Sequence, residues 1–271
     1  MSATANRPQT QAQLLPRALR PFKLARLAIL ALALTGASCL SGDLSSQRAD
    51  STESPTALPA GMPDGINASF LDEDMDVSSY VERFEGESRA VYAERVAIAD
   101  SLALAPGDRI ADIGAGTGFF TTLFDARVGA EGKTYAVEIS PQFLTHLEER
   151  ARKEALRSVE VVEGTMTSVE LPTASIDKAF ICDVYHHFES PKATLASLFD
   201  AIRPGGELVL IEFERIPGVT SEWLLEHVRA GRDVFRAEIE AAGFAYQDEI
   251  KLDGMDGNYI LRFERTSQQA H

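Results

Sequence analysis

Cysteine is nearly absent. The 271 residues hold two, Cys39 and Cys182, too few for a disulfide framework or a thiolate metal site. Basic side chains are also in deficit, 26 Lys and Arg against 41 Asp and Glu, for a formal charge of −15. A surface of that sign repels phosphate backbones and argues against nucleic acid as a partner. No apolar run approaches the ~20 residues that a helix needs to cross a bilayer, and no internal repeat is present. What remains is ordinary for a globular protein, 45% apolar and 25% charged, enough for one large domain or two small ones.

The N-terminal 39 residues contain five basic side chains (Arg7, Arg17, Arg20, Lys23, Arg26) and no acid, followed by the apolar run LAILALAL (27–34) and the small residues Gly36, Ala37 and Ser38. Basic, apolar and small in that order predict an export segment over 1–39 and an exported, periplasmic or membrane-tethered protein. Two forms of processing stand open: cleavage near Ala37, or lipidation of Cys39, since the preceding residues resemble a bacterial lipobox. A cytoplasmic protein whose translation starts downstream, at Met62 or Met75, is the third reading. Residues 40–75 are rich in Ser, Thr, Asp, Pro and Gly without apolar periodicity, and read as a flexible linker.

From 76 to 266 strand and helix patterns alternate, with a short tail at 267–271. Apolar β-rich runs at 109–113, 134–139, 159–163, 177–182 and 206–213 are interleaved with helical patterns at 87–103, 117–127, 141–155 and 191–202. Such alternation means parallel βαβ units. A helical stretch over 221–243, broken near Gly231, leads to 245–252, and the turn DGMDG joins that run to 258–265. So short a connection joins antiparallel strands. The expected architecture is a doubly wound α/β fold with a mostly parallel seven-stranded sheet and one antiparallel strand near the C-terminus.

Strand RIADI (109–113) runs directly into Gly114-Ala115-Gly116-Thr117-Gly118 and then a helix. Without Cβ atoms the backbone can turn sharply and lie against a ligand. The spacing is not the G-x-G-x-x-G of dinucleotide folds, and Phe119 stands where their third glycine would be, which disfavours NAD and FAD. Twenty residues after Gly118, Glu138 ends the next strand, where a carboxylate can accept hydrogen bonds from both ribose hydroxyls of a nucleoside laid across the strand ends.

The segments ADIGAGTGFFT (111–121), YAVEIS (135–140), VVEGTMTSVELP (161–172), IDKAFICDVYHHF (176–188) and IRPGGELVLIEFER (202–215) resemble, in order, the motifs of class I S-adenosylmethionine-dependent methyltransferases. The resemblance implies that S-adenosylmethionine is the cofactor, that Asp112, Gly114, Ala115, Gly116 and Gly118 line its methionine end, that Glu138 holds the ribose, and that Ile139 packs on the adenine. Thr165 and Met166 stand where the family often has Asp for the adenine amino group. The implied activity is methyl transfer to a small-molecule or lipid-like acceptor; the alternative is an exported module that binds the cofactor without turnover.

After the fourth strand come Asp183, His186 and His187, the candidate catalytic residues. Asp183 would contact cofactor or substrate. Either imidazole, with an ordinary pKa of ~6.5, could take a proton from an acceptor hydroxyl or amine, or the pair could simply pack. Two adjacent histidines do not complete a metal site, and the sequence shows no third ligand, so no metal is expected. Arg89 and Tyr92 read either as a lid or as helix surface, and Trp223, Leu224, Leu225 and Val228 either as core or as a substrate wall.

Overall fold

The computed structural model describes residues 58–267. The expected export segment, Cys39, the linker as far as 57 and the tail from 268 lie outside the described residues.

The elements run α1 (Val77–Phe84), α2 (Ala90–Ala93), α3 (Arg95–Ser101), β1 (Arg109–Ile113), α4 (Phe119–Val128), β2 (Lys133–Glu138), α5 (Pro141–Lys153), β3 (Val159–Glu163) and β4 (Ile176–Cys182). A 3-10 turn (Tyr185–His187), α6 (Pro191–Ala201), β5 (Ile202–Phe213), α7 (Glu222–His227), α8 (Arg232–Ala241), β6 (Phe244–Glu249) and β7 (Asn258–Arg265) follow. The seven strands form one sheet in the order β3-β2-β1-β4-β5-β7-β6. Strands β1 to β5 pair in parallel, and β7 lies between β5 and β6, antiparallel to both. The doubly wound sheet with its antiparallel insertion is therefore as the alternation of apolar runs and the short last turn predicted.

Both faces of the central strands are covered, so their side chains alternate between two apolar layers rather than between core and water. On one face Ile113, Ile181, Leu208 and Leu210 pack with Leu195, Leu198 and Phe199 of α6 and Phe235 and Ile239 of α8. On the other, Ile110, Phe180, Val209 and Ile211 meet Ile98 of α3 and Phe120 and Phe124 of α4. Phe180 stands edge-on to Phe124 at 5.1 Å and to Phe120 at 4.7 Å. Each such fully buried side chain contributes about 1.5–3 kcal/mol.

Local signals set where helices begin. Ser140 caps α5 by accepting from Phe143 N, with Pro141 at the first helical position, and Pro191 opens α6 in the same way. The stretch expected as one helix over 87–103 is two, α2 and α3, meeting at Glu94. The 221–243 stretch also divides, because Val228, wholly buried, leaves the helix to enter the core while Gly231 restarts it as α8. Among the described residues no helix is long and apolar enough to cross a membrane.

The ordered chain reaches back into the segment read as a linker ending at 75. Met62, Ile66 and Asn67 are buried, and Phe70 packs against Tyr80, Phe143 and His187. These residues form turns rather than a regular element, so no apolar period announces them in the sequence. A chain beginning at 76 is expected to melt below one beginning at 58 by the equivalent of a few kcal/mol, since it forgoes the burial of Met62 and Ile66 at about 1.5–3 kcal/mol each. Thermal unfolding of the two chains followed by circular dichroism checks this, and equal melting points would contradict it.

Candidate active site

Strand β1 ends in the glycine turn, and its three glycines do different work. All have positive φ, +68° at Gly114, +54° at Gly116 and +81° at Gly118. A Cβ on Gly114 would come within 2.5 Å of Val184 Cγ1, and one on Gly118 within 2.6 Å of Leu147 Cδ2. At Gly116 the nearest atom, Phe84 Cε2, is 3.8 Å away, an ordinary van der Waals distance, and the residue lines the cavity. Gly118 therefore serves the start of α4 and its packing on α5, and it is not among the residues lining the cavity, where the expected contact with the cofactor's methionine end would lie.

Glu138, at the end of β2, is tied to this turn. Its Oε2 accepts from Gly116 N at 2.9 Å, and its Oε1 accepts from Ile139 N at 2.7 Å and Ser140 N at 3.0 Å. Three backbone donors hold the carboxylate in one orientation, yet a carboxylate has about four lone-pair sites, so Oε2 can still accept from a ligand hydroxyl.

Beside it opens a cavity of about 300 Å³ at the C-terminal ends of the strands, where β1 and β4 diverge. This is the switch point at which open α/β sheets bind ligands. Asp112, Gly114, Ala115, Gly116, Glu138, Ile139, Thr165, Met166, Asp183, His186 and His187 all line it. Thr117 Oγ1, also on the lining, is buried with no hydrogen-bond partner among the described residues.

Three buried carboxyl groups, Asp112, Glu138 and Asp183, line the cavity together with Arg83 and Arg89. Asp112 accepts from Thr121 Oγ1 at 2.6 Å, but burial, with the nearby Glu138 charge adding to it, pushes its pKa up to about 7. Burial also raises Glu138. Asp183 sits at φ +53°, a left-handed conformation that costs a non-glycine residue roughly 1 kcal/mol. That conformation aims its carboxylate at Arg89 Nη2, 2.6 Å away, and Asn258 Nδ2, 2.9 Å away. Burial raises Asp183 to about 6 even though Arg89 acts in the opposite sense. A ligand bearing positive charge would relieve all three carboxylates.

The two candidate histidines differ. His186 is buried, and its Nδ1 lies 2.8 and 3.0 Å from the two oxygens of the buried Glu212, which also accepts from His186 N. A carboxylate at Nδ1 leaves the Nε2 lone pair free to meet a ligand in the cavity. His187 departs from the expectation of an ordinary imidazole base: burial, followed by the positive fields of His186, His227 and Arg83, pushes its pKa down to about 2. The expectation that the pair lacks a third partner is also overturned, since α7 brings His227 to within 5.2 Å, ring to ring, of both.

Asn67 lines the cavity without having been singled out by the sequence, whereas Arg89, Trp223 and Leu224 had been left between two readings. Asn67 donates to the His187 carbonyl at 3.0 Å and to Glu189 at 2.9 Å. Arg89, weighed against helix surface, is a cavity residue through its ion pair with Asp183. Trp223 and Leu224 belong to the cavity wall, whereas Val228 belongs to the core. Behind the lining stands Glu212, whose carboxylate interrupts the apolar run LVLIEF and is the local signal for the contact it makes with His186.

Comparison with known proteins agrees with this geometry. Residues 111–210 match the family model described as a methyltransferase domain. The fold is that of a class I methyltransferase. The chain is similar to the ubiquinone/menaquinone biosynthesis C-methyltransferase UbiE of Methylococcus capsulatus, 28% identical over 124 residues that make up 45% of this chain and 50% of that protein. It thus spans about half the length of the curated relatives it matches. Among solved structures, a SAM dependent methyltransferase from Aquifex aeolicus superposes with a TM-score of 0.63 at 19% identity, covering 70% of this chain and 99% of that one. The [4+2]-cyclase SpnF superposes with a TM-score of 0.62 at 14% identity over 78% of this chain and 99% of its own.

The raised carboxylates make stability depend on pH. Asp112 holds its proton up to about pH 7 when folded but releases it near 3.8 when unfolded. Between those values the folded state binds more protons, so stability falls as pH rises from about 4 to 7 and is level above; Asp183 adds to the same trend up to about 6. Urea unfolding of ligand-free Asp112→Asn should show a shallower decline across that window than the parent chain. An unchanged slope would rule out Asp112 as its source.

Proposed function

We propose that the protein transfers the methyl group of S-adenosylmethionine to a small, largely apolar acceptor bound at the histidine end of the cavity. The observation that carries the reading is the facing of Glu138 and the Gly116 turn at the β1/β4 switch point, beside a group of buried carboxylates.

The residues present fit that cofactor. Gly116 leaves the space that a Cβ would fill, Thr117 Oγ1 is an unused buried donor, and Asp112 and Asp183 offer negative charge to an ammonium and a sulfonium. When bound, S-adenosylmethionine supplies an activated methyl group, so the protein's part is mainly alignment and exclusion of water. Glu138 would take the ribose hydroxyls, Ile139 would cover the adenine, and Thr165 and Met166 would border it. Arg89, bound to Asp183, is placed to shift onto a carboxylate of the ligand.

The acceptor end is walled by Phe213, Trp223, Leu224 and the histidines. Aromatic and apolar surface of this kind suits a ring or a short lipid-like chain better than a charged polymer. The mainly acidic composition favours the same choice over nucleic acid.

Calorimetric titration with S-adenosylmethionine and its demethylated product tests the site. Glu138→Ala is expected to weaken binding at least tenfold, about 1.4 kcal/mol or more, and to abolish transfer of labelled methyl to extracted small molecules and lipids. Undiminished affinity in that variant would remove the proposed site.

The N-terminal pattern supports export through residues 1–39, with cleavage near Ala37 or lipidation at Cys39 as the two forms of the mature protein. Intact-mass measurement of the native N-terminus separates them, and a chain starting at Met1, Met62 or Met75 without lipid would dismiss export.

A further inference from the structure

Three imidazoles meet at the acceptor end of the cavity. His186 and His187 come from the turn after β4, and His227 from the last residue of α7, with ring centroids 4.3 to 5.2 Å apart. One nitrogen from each lies within 4.8 Å of the others.

The surroundings fix how these rings present themselves. His186 Nδ1 is held by both oxygens of Glu212, and His187 Nδ1 faces Asn67 Oδ1 at 3.2 Å. Each acceptor sets its imidazole as the tautomer protonated at Nδ1 and bare at Nε2. His227 is stacked on Trp223 at 4.7 Å and 13°. Imidazoles converging in this way suit zinc, copper, iron or nickel. A carboxylate on the remote nitrogen is the arrangement that orients a metal-bound histidine and raises its basicity.

We propose that His186, His187 and His227 bind a divalent transition cation of the zinc class, with its open coordination position turned into the cavity. Zn–N bonds of about 2.0–2.1 Å in a tetrahedron place ligand nitrogens about 3.3 Å apart. The present spacing must therefore contract slightly, which a turn of His227 on the cavity wall supplies. Three histidines with one position left open form a catalytic rather than a structural zinc set.

The cation's role, though not its binding, rests on the proposed function. An acceptor hydroxyl bound at the open position loses its proton to water more readily. Its oxygen then bonds to the methyl carbon as the sulfur–methyl bond breaks, and the bonding pair stays on sulfur. His186 and His187 then serve as ligands, consistent with an acceptor that carries oxygen.

Tag-free full-length protein, stripped with chelator and dialysed against Zn²⁺ or Co²⁺, should retain one equivalent by elemental analysis. The Co²⁺ form should show the visible absorption of a low-symmetry site. His227→Ala and His187→Gln should each weaken uptake by about tenfold or more while their melting points in chelator stay close to that of the parent. Retention well below one equivalent by the parent, or retention by both variants equal to the parent's, overturns the proposal. S-Adenosylmethionine titration of the same samples keeps the two ideas apart: metal uptake without cofactor binding leaves the cation site standing and removes the methyl-transfer reading, and cofactor binding without metal uptake does the reverse.

Discussion

Strand β1 pairs in parallel with β2 on one side and β4 on the other, and the connections leaving β1 and β4 turn to opposite faces of the sheet. The helix after β1, α4, packs in one apolar layer, and α6, which follows β4, packs in the other. Between the diverging segments the chain cannot fill the space above the strand ends, and a crevice results. Its floor is closed by the contact of Gly114 with Val184, so tight that a single Cβ would intrude. The turn geometry, the position of Glu138 and the placing of Asp183 all descend from that divergence.

The same crevice concentrates charge. Asp112 one residue before the end of β1, Glu138 at the end of β2 and Asp183 just after β4 are each buried, while Arg89 makes the one direct ion pair to the three among the described residues. Burying carboxylates without partners is unfavourable, and the protein meets it with backbone donors at Glu138, a hydroxyl at Asp112, and Arg89 with Asn258 at Asp183. What is left over is a demand for positive charge. That demand is a property of the site before any ligand is considered, and it agrees with a sulfonium cofactor.

Opposite the carboxylates, the cavity is finished by elements outside the alternating fold. Phe70 and Tyr80, from the chain before the sheet, pack with Phe84 and Phe143 in a group of rings, and α7 supplies Trp223 and His227. Such segments vary more freely than a sheet, since they carry few of its hydrogen bonds.

The sequence by itself determined the sheet and the cradle. Parallel strands read as short apolar runs, the glycine turn follows β1 directly, Glu138 ends the next strand, and a short turn forces β6 and β7 to be antiparallel; each of these signals is local, spanning a few residues. Tertiary structure alone decided the acceptor end. Asn67 meets His187 across 120 positions of chain, Arg89 meets Asp183 across 94, and Glu212 meets His186 across 26. His227 joins the other two histidines because Val228 is drawn into the core beside it. No local period encodes such meetings, because they arise from where separate helices and turns come to rest on the sheet.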